Sequence, residues 1–266
     1  MNPELFAKFV SVSFQKQITY RFEYFMGIVN GFIYVFIFTS LWKALYAQTV
    51  GNSMSGFSLT GIITYAVLAM AVRISFSMDD SVIYKKVQDG SVSIDLIRPV
   101  SFFYMNLAEN VGYSLFHLIA RALPILAISF FIFDVYIPVS FLNFSLFVIS
   151  ALMGYLILFM FNFTIGLLAF WFIEVFPFML FKYAFLTLFS GGIVPIDFFP
   201  EVLKPIIAMM PFQYTLYAPT VILMGHVGTQ QALSLIAMQV VWVVVLSAAC
   251  RAMWRVGRNK LVIQGG

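Results

Sequence analysis

Long apolar runs separated by short polar connections constrain the fold of this chain more than any other feature. They lie at about 24–46, 59–78, 110–133, 141–172, 178–190 and 232–254. A helix of about 20 apolar residues crosses the roughly 30 Å hydrocarbon core of a bilayer. Only 10% of the 266 residues are charged, too few to cover a water-facing surface, since soluble domains carry roughly 25%. The sequence therefore predicts an all-α membrane protein with six transmembrane helices.

The distribution of lysine and arginine predicts the orientation. Eleven of the 15 basic residues fall on one side of the predicted spans: Lys8, Lys16, Arg21, Lys85, Lys86, Arg98, Lys182, Arg251, Arg255, Arg258 and Lys260. The alternate connections 47–58 and 134–140 have none, and 190–231 has only Lys204. By the positive-inside rule the basic side is cytoplasmic, and an even number of spans places both termini there. This topological use of the basic residues argues against nucleic-acid binding.

The residues before the first span, 1–23, have helical periodicity. Apolar side chains recur at Phe6, Phe9, Val10, Phe14 and Ile18, with polar residues between them. This pattern predicts an amphipathic helix lying in the membrane interface. The alternative is a polar leader that is merely helical. The apolar run that follows is too long for a signal peptide, so we expect no cleavage. Without a linker or repeat, 1–266 is predicted to be one domain.

The cytoplasmic connection 79–106 has the pattern of a docking segment. Val82, Ile83 and Val87 can line one face of a short helix that Gly90 would end. The following apolar residues precede Arg98-Pro99, where proline disfavours helix continuation. A short helix with an apolar face suits binding to a cytoplasmic partner. The alternative is a surface loop that only joins two spans.

The external connection 190–231 is apolar but cannot form a full span, because prolines interrupt it repeatedly. They are Pro195, Pro200, Pro205, Pro211 and Pro219. Irregular backbone at membrane depth is tolerated only where protein or a cavity covers it. The pattern therefore predicts short re-entrant helices that cap or gate a pathway, and the alternative is an aromatic belt at the interface. The candidate gate residues here are Gly191, Gly192, Pro195, Pro200, Pro211 and Phe212.

Ionisable residues inside the apolar runs are further candidates. Arg121 lies well inside the third run, with His117 one turn before it. Two interpretations of Arg121 stay open: an ion pair between helices, or one wall of a polar pathway. Arg73 and Glu174 lie near helix ends, from which they can reach the interface. We expect His117 to be a hydrogen-bonded packing residue rather than a proton relay.

Catalytic motifs are absent from the sequence. It contains no phosphate-binding loop G-x-x-x-x-G-K-[ST], no H-E-x-x-H and no G-x-S-x-G. Two histidines in separate segments do not suggest a metal site, and Cys250, the single cysteine, excludes an internal disulfide. We therefore expect no catalytic, cofactor-binding or metal-binding residue on this chain.

Three motifs in order resemble the membrane subunit of a type-2 ATP-binding-cassette exporter, in a small bacterial permease family formerly of unknown function. The first is Tyr20-Arg21-Phe22-Glu23 before the first span. The second runs from Gly90 to Leu96-Ile97-Arg98-Pro99, where the family favours Leu-Leu and the change conserves volume. The third is the run 190–195 with Phe199-Pro200 and Met210-Pro211-Phe212. The resemblance covers essentially the whole chain.

The resemblance implies a six-helix subunit in the bacterial cytoplasmic membrane that pairs with itself or with a related sister protein. ATP and Mg²⁺ would bind to separate nucleotide-binding subunits, not to this chain. The segment 79–99 would be the coupling helix, pushed by the closing ATPase pair. The residues implied in coupling are Val82, Ile83, Val87, Gly90, Asp95, Leu96, Arg98 and Pro99.

Two other classes of function compete with an exporter permease. A secondary carrier or channel would need buried acidic residues or an inverted repeat, and neither is evident in the sequence. A membrane-embedded enzyme or scaffold lacks candidate chemistry. The substrate stays open, because the 32 phenylalanines suit a greasy pathway and a lipid-facing surface equally well.

Overall fold

A computed structural model describes residues 2–19, 21–48, 53–133, 135–137 and 140–260, without the side chains of 21–23. Four helical runs in these residues are long and apolar enough to cross a membrane: Tyr24–Ala47, Phe102–Ile132, Phe141–Phe170 and Thr229–Lys260. Two shorter apolar helices, Leu59–Ser75 and Phe176–Phe189, occupy the places of the second and fifth predicted spans. The all-α membrane class is confirmed, and a count of six crossings stays a prediction.

The helices follow one another with short connections. They are α1 (Pro3–Ile18), α2 (Arg21–Ala47), α3 (Leu59–Ser75), α4 (Val82–Gln88), α5 (Val92–Ile97), α6 (Phe102–His117), α7 (Leu123–Ile132), α8 (Phe141–Leu167), α9 (Phe176–Phe189), α10 (Lys204–Ala208), α11 (Tyr217–Leu223) and α12 (Thr229–Gly257). Short 3₁₀ turns lie at 168–170, 196–198, 212–214 and 258–260. A small antiparallel hairpin, β1 (Ser53–Met54) and β2 (Phe57–Ser58), precedes α3 and pairs Met54 with Phe57. Ser55 and Gly56 both have positive φ, as a tight two-residue hairpin turn requires.

The third span begins earlier than the sequence pattern suggested. Its first helix, α6, starts at Phe102 rather than near 110, so 102–106 belong to the span and not to the cytoplasmic connection. The span also passes through Pro124 without breaking. A proline ring clashes with the carbonyl four residues before it. One π-helical turn over Leu118–Ala122, in which Leu123 N–H donates to Leu118 O, widens the helix there and keeps α6 and α7 continuous.

The N-terminal helix α1 packs along α6. The contact is close because Gly112 has no side chain: a Cβ there would lie 2.3 Å from the carbonyl oxygen of Val10. The Ser13 hydroxyl donates to the Glu109 carbonyl at 2.6 Å, and the rings of Phe14 and Phe116 meet edge to face. The predicted N-terminal helix is present over Pro3–Ile18, and its place in the membrane interface stays a prediction.

Helix α8 lies at the centre of the packing, since α4, α11 and α12 all contact it. Two glycines of α8 allow close approach. At Gly166 a Cβ would lie 2.7 Å from Cβ of Ile83 in α4. At Gly154 a Cβ would lie 2.8 Å from the carbonyl oxygen of Tyr214. Gly166 thus allows close contact with the cytoplasmic connection 79–106, and Gly154 allows close contact with the outer connection 190–231.

Candidate functional site

The cytoplasmic connection contains the short helix that was predicted before Gly90, α4, and a second short helix, α5, before Arg98. Helix α4 ends before Gly90, whose φ of +75° is a left-handed conformation that glycine adopts without strain. The Ser91 side chain and N–H bond to Asp89, and these hydrogen bonds hold the pKa of its carboxyl below the usual range. Helix α5 ends at Ile97, because Arg98 before Pro99 is extended.

The two helices separate the predicted coupling residues into an inner and an outer set. Ile83 and Val92 are buried, with Ile83 against Gly166 of α8, and Val82 and Val87 are half-buried. Of the other predicted residues, Gly90, Leu96, Arg98 and Pro99 are exposed, and so are the neighbouring Ile94 and Ile97. Ile97 exposes 84% of its surface. We call Ile94, Leu96, Ile97 and Pro99 the docking face.

Asp95 belongs to the inner set. Its carboxylate lies 2.9 Å from Nζ of Lys86 in α4 and 3.4 Å from the guanidinium of Arg98. Lys86 also lies 3.5 Å from the carboxylate of Glu109 in α6. The Asp95 side chain is only 8% exposed. These ion pairs hold α4, α5 and α6 together, so that the docking face points away from the rest of the chain.

The outer connection enters the protein instead of lying on its surface. Every residue from 212 to 222 is buried. The amide of Gln239 in α12, itself fully buried, donates to the Tyr214 carbonyl at 2.8 Å and to the Ser150 carbonyl of α8 at 2.9 Å. The Thr215 hydroxyl donates to the Phe212 carbonyl at 2.6 Å. Side chains and neighbouring helices therefore cover this irregular backbone, as membrane depth requires.

The turn after α9 is held by two tyrosines. The Tyr65 hydroxyl of α3 donates to the Gly191 carbonyl at 2.6 Å, and the Tyr217 N–H donates to the Ser190 carbonyl at 2.9 Å. The Tyr217 hydroxyl donates to Asp197 at 2.9 Å. Gly191 has a φ of +77°. These bonds join the end of α9 to α3 and α11.

We expect Gly191→Ala to destabilise the protein. Its Cβ would lie 2.7 Å from both Cβ of Tyr217 and the Tyr65 hydroxyl, and the left-handed conformation costs a non-glycine residue about 1–2 kcal/mol. The measurement is the midpoint of thermal unfolding in detergent. Gly228→Ala is the control, because Gly228 has a negative φ and nothing within 4 Å of its Cβ position. Equal midpoints for the two variants would contradict the expectation.

A polar cavity of about 270 Å³ lies between the cytoplasmic and outer connections. Its polar lining residues are Arg73, Ser77, Asp80, Tyr113, Asn162, Lys182, Tyr183, Thr187, Ser190 and Thr215. Lys182 of α9, only 3% exposed, lies 2.5 Å from the Asp80 carboxylate and donates to Asn162 of α8 at 2.9 Å. The Tyr183 hydroxyl also donates to Asp80.

Sequence reasoning missed this cluster. It treated Lys182 as a topological marker at the start of the fifth span, but α9 begins at Phe176, with Pro177 in its first turn, so Lys182 lies well inside the helix. A lysine within the apolar run 176–189, together with the acidic pair before α4, is the signal that could have found it.

The remaining gate candidates occupy different places. Gly192 lines the polar cavity, and the ring of Phe212 contacts Phe161 and Phe185 at centroid distances of 5.3 and 5.5 Å. Pro195, Pro200 and Pro211 each stand at or next to the start of a short turn.

His117 is the last residue of α6 and Arg121 lies in the π-helical turn that follows, and neither lines the polar cavity. The Arg121 guanidinium lies across Gly27 of α2, where a Cβ would be 2.4 Å from its Nε. The buried ring of His117 packs against Tyr113 at 4.4 Å. Within the described residues, neither ring nitrogen of His117 has a hydrogen-bond partner. The ring is therefore packed without the hydrogen bond that the sequence led us to expect, and the role of His117 stays a prediction.

Four long apolar helices in the described residues, with a buried broken segment packed among them, are typical of a multi-pass membrane protein. A family model described as ABC-2 family transporter protein matches residues 24–265. The chain therefore belongs to the ABC-2 transporter membrane family and is a permease component of an ABC transporter. Comparisons with curated proteins and with solved structures find no match.

Proposed function

We propose that this chain is the permease subunit of an ATP-driven exporter and forms half of a dimeric pathway. Separate cytoplasmic subunits bind ATP and Mg²⁺ and hydrolyse the ATP, and the second permease is an identical chain or a related sister. The observation that carries this proposal is the docking face on α5. An apolar surface held outward by ion pairs next to the membrane domain suits insertion into a groove of an ATPase.

The proposed topology has six crossings in the bacterial cytoplasmic membrane, with both termini and the docking face inside. Helix α3 is about 26 Å long and α9 about 21 Å long, so α9 alone does not cross a hydrocarbon core of about 30 Å. The irregular outer connection beyond Gly191 fills the rest of that depth. The amphipathic pattern of α1 supports a place for it at the cytoplasmic interface.

The polar cavity and the outer connection form the proposed pathway and its external gate. Polar side chains at membrane depth are costly unless they line a cavity or pair with each other, and those around Lys182 do both. In this proposal the segment 212–222, of which Thr215 and Leu216 line the cavity, closes the cavity toward the outside. ATP-driven movement of the docking face would open it.

Co-purification tests the docking face. We expect Ile97→Asp to abolish capture of a co-expressed phosphate-loop ATPase that the wild-type permease captures, because a carboxylate would be desolvated in an apolar groove. Val202→Asp is the matched control, since Val202 is 77% exposed but lies in the outer connection. Scrambling 90–98 should remove the stimulated ATP hydrolysis. Unchanged capture and stimulation would overturn the proposed function.

A further inference from the structure

The residues at the two ends of α4 contact α9 and the turn just before it. At the first end, Asp80 lies two residues before α4 and accepts from Lys182 and Tyr183 of α9. At the other end, the Gln88 side-chain amide donates to the Ile173 carbonyl, three residues before α9 begins. Two separate contacts therefore join the cytoplasmic connection to α9 and to the turn before it.

From this arrangement we infer that Asp80 and Lys182 are positioning residues that transmit movement of the coupling segment to the external gate through α9. The inference rests on the proposed function and deepens it. The contact is buried: the Lys182 and Asp80 side chains are 2% and 13% exposed. Separating two such charges is strongly unfavourable, so α9 follows when the segment next to Asp80 moves.

The far end of α9 leads directly into the outer connection. Ser190 follows its last residue, and the carbonyls of Ser190 and Gly191 accept from Tyr217 of α11 and Tyr65 of α3. A regular helix transmits displacement along its axis because its backbone hydrogen bonds are continuous. A shift at Lys182 therefore reaches the buried segment that closes the outside.

One exposed ion pair elsewhere on the chain does not join separate helices. Glu201 and Lys204, 2.7 Å apart, pair within one turn of the outer connection, and Glu201 is largely exposed. Their pairing joins no two helices. They provide a matched control, because neutralising them removes the same charges without cutting a connection.

Hydrogen exchange of residues 190–199 tests the inference in the complex of this permease with its ATPase. Trapping the complex with ATP and vanadate should change the exchange rate in the wild type by about fivefold or more. Lys182→Met should remove most of that change while the ATPase stays bound. Asp80→Asn/Lys182→Met leaves no unpaired buried charge, so it keeps the test valid if the single variant fails to fold. Glu201→Gln/Lys204→Met should respond like the wild type.

A covalent replacement separates a coupling role from a merely structural one. In a Cys250→Ala background, Asp80→Cys/Lys182→Cys should lose the response, and a short bifunctional thiol crosslinker should restore it. A full response without the crosslinker, or no restoration with it, overturns the inference. If the wild-type complex itself shows no response to ATP and vanadate, the proposed function fails instead.

Discussion

We expect Asp95→Asn to reduce the stimulation of ATP hydrolysis by the permease about tenfold. A factor of ten corresponds to about 1.4 kcal/mol. Asp95 is buried between Lys86 and Arg98, and asparagine leaves the charges of both without an anion between α4 and α5. The cost stays below that of a fully buried pair, because the Arg98 side chain is 49% exposed. The measurement is ATPase activity with and without the permease.

Asp89→Asn is the control for this variant. Asp89 is on the same connection, but it is exposed and its carboxylate accepts from the neighbouring Ser91. We expect its stimulated activity to stay within twofold of the wild type, as exposed charges contribute little. If both variants behave alike, the ion pairs of Asp95 do not position the docking face.

Gln239→Leu is expected to lower the stability of the folded protein by about 1–3 kcal/mol. Leucine has a similar size but cannot donate to the Tyr214 carbonyl, which lies in irregular backbone away from water. Thermal unfolding in detergent should show a lower midpoint. The hydrogen bond from Gln239 matters more here than it would inside a regular helix, because carbonyls within a helix already accept hydrogen bonds from the backbone.

Gln231→Leu provides the comparison for Gln239→Leu, since Gln231 is exposed in the first turn of the same helix. Its midpoint should match the wild type. Equal losses in the two variants would mean that the brace between α8, α12 and the outer connection contributes nothing. Side-chain hydrogen bonds in membrane proteins average only about 0.6 kcal/mol, so a loss above that average marks the irregular carbonyl as the cause.

The cytoplasmic connection illustrates how local signals were sufficient for some features. Gly90 and Arg98-Pro99 correctly predicted where α4 and α5 end, because both act through their own backbone conformation. The apolar face that was predicted for α4 as a partner surface turns inward instead, with Ile83 in the core. Ile83 and Asp95 point inward because Gly166 and Lys86, distant in sequence or on another helix, meet them there.

Lys182 shows the same contrast between sequence and fold for a charged residue. The count of basic residues led to its interpretation as a marker of the cytoplasmic side. That interpretation uses only its position along the chain. Its pairing with Asp80 and Asn162 depends on three segments that come together only in the fold. The continuity of the third span through Pro124 was expected from its apolar length, whereas the π turn that permits it was not.

The apolar runs by themselves determined that this chain is an all-α membrane protein, because transfer into lipid depends on composition over about 20 residues and on little else. The tertiary structure decided which side of each run faces protein. An apolar side chain is equally suited to lipid and to a protein interior, so hydropathy carries no such information. Glycines at close helix contacts, buried amides and paired charges decide which side faces protein. Each of them acts only when its partner is in place.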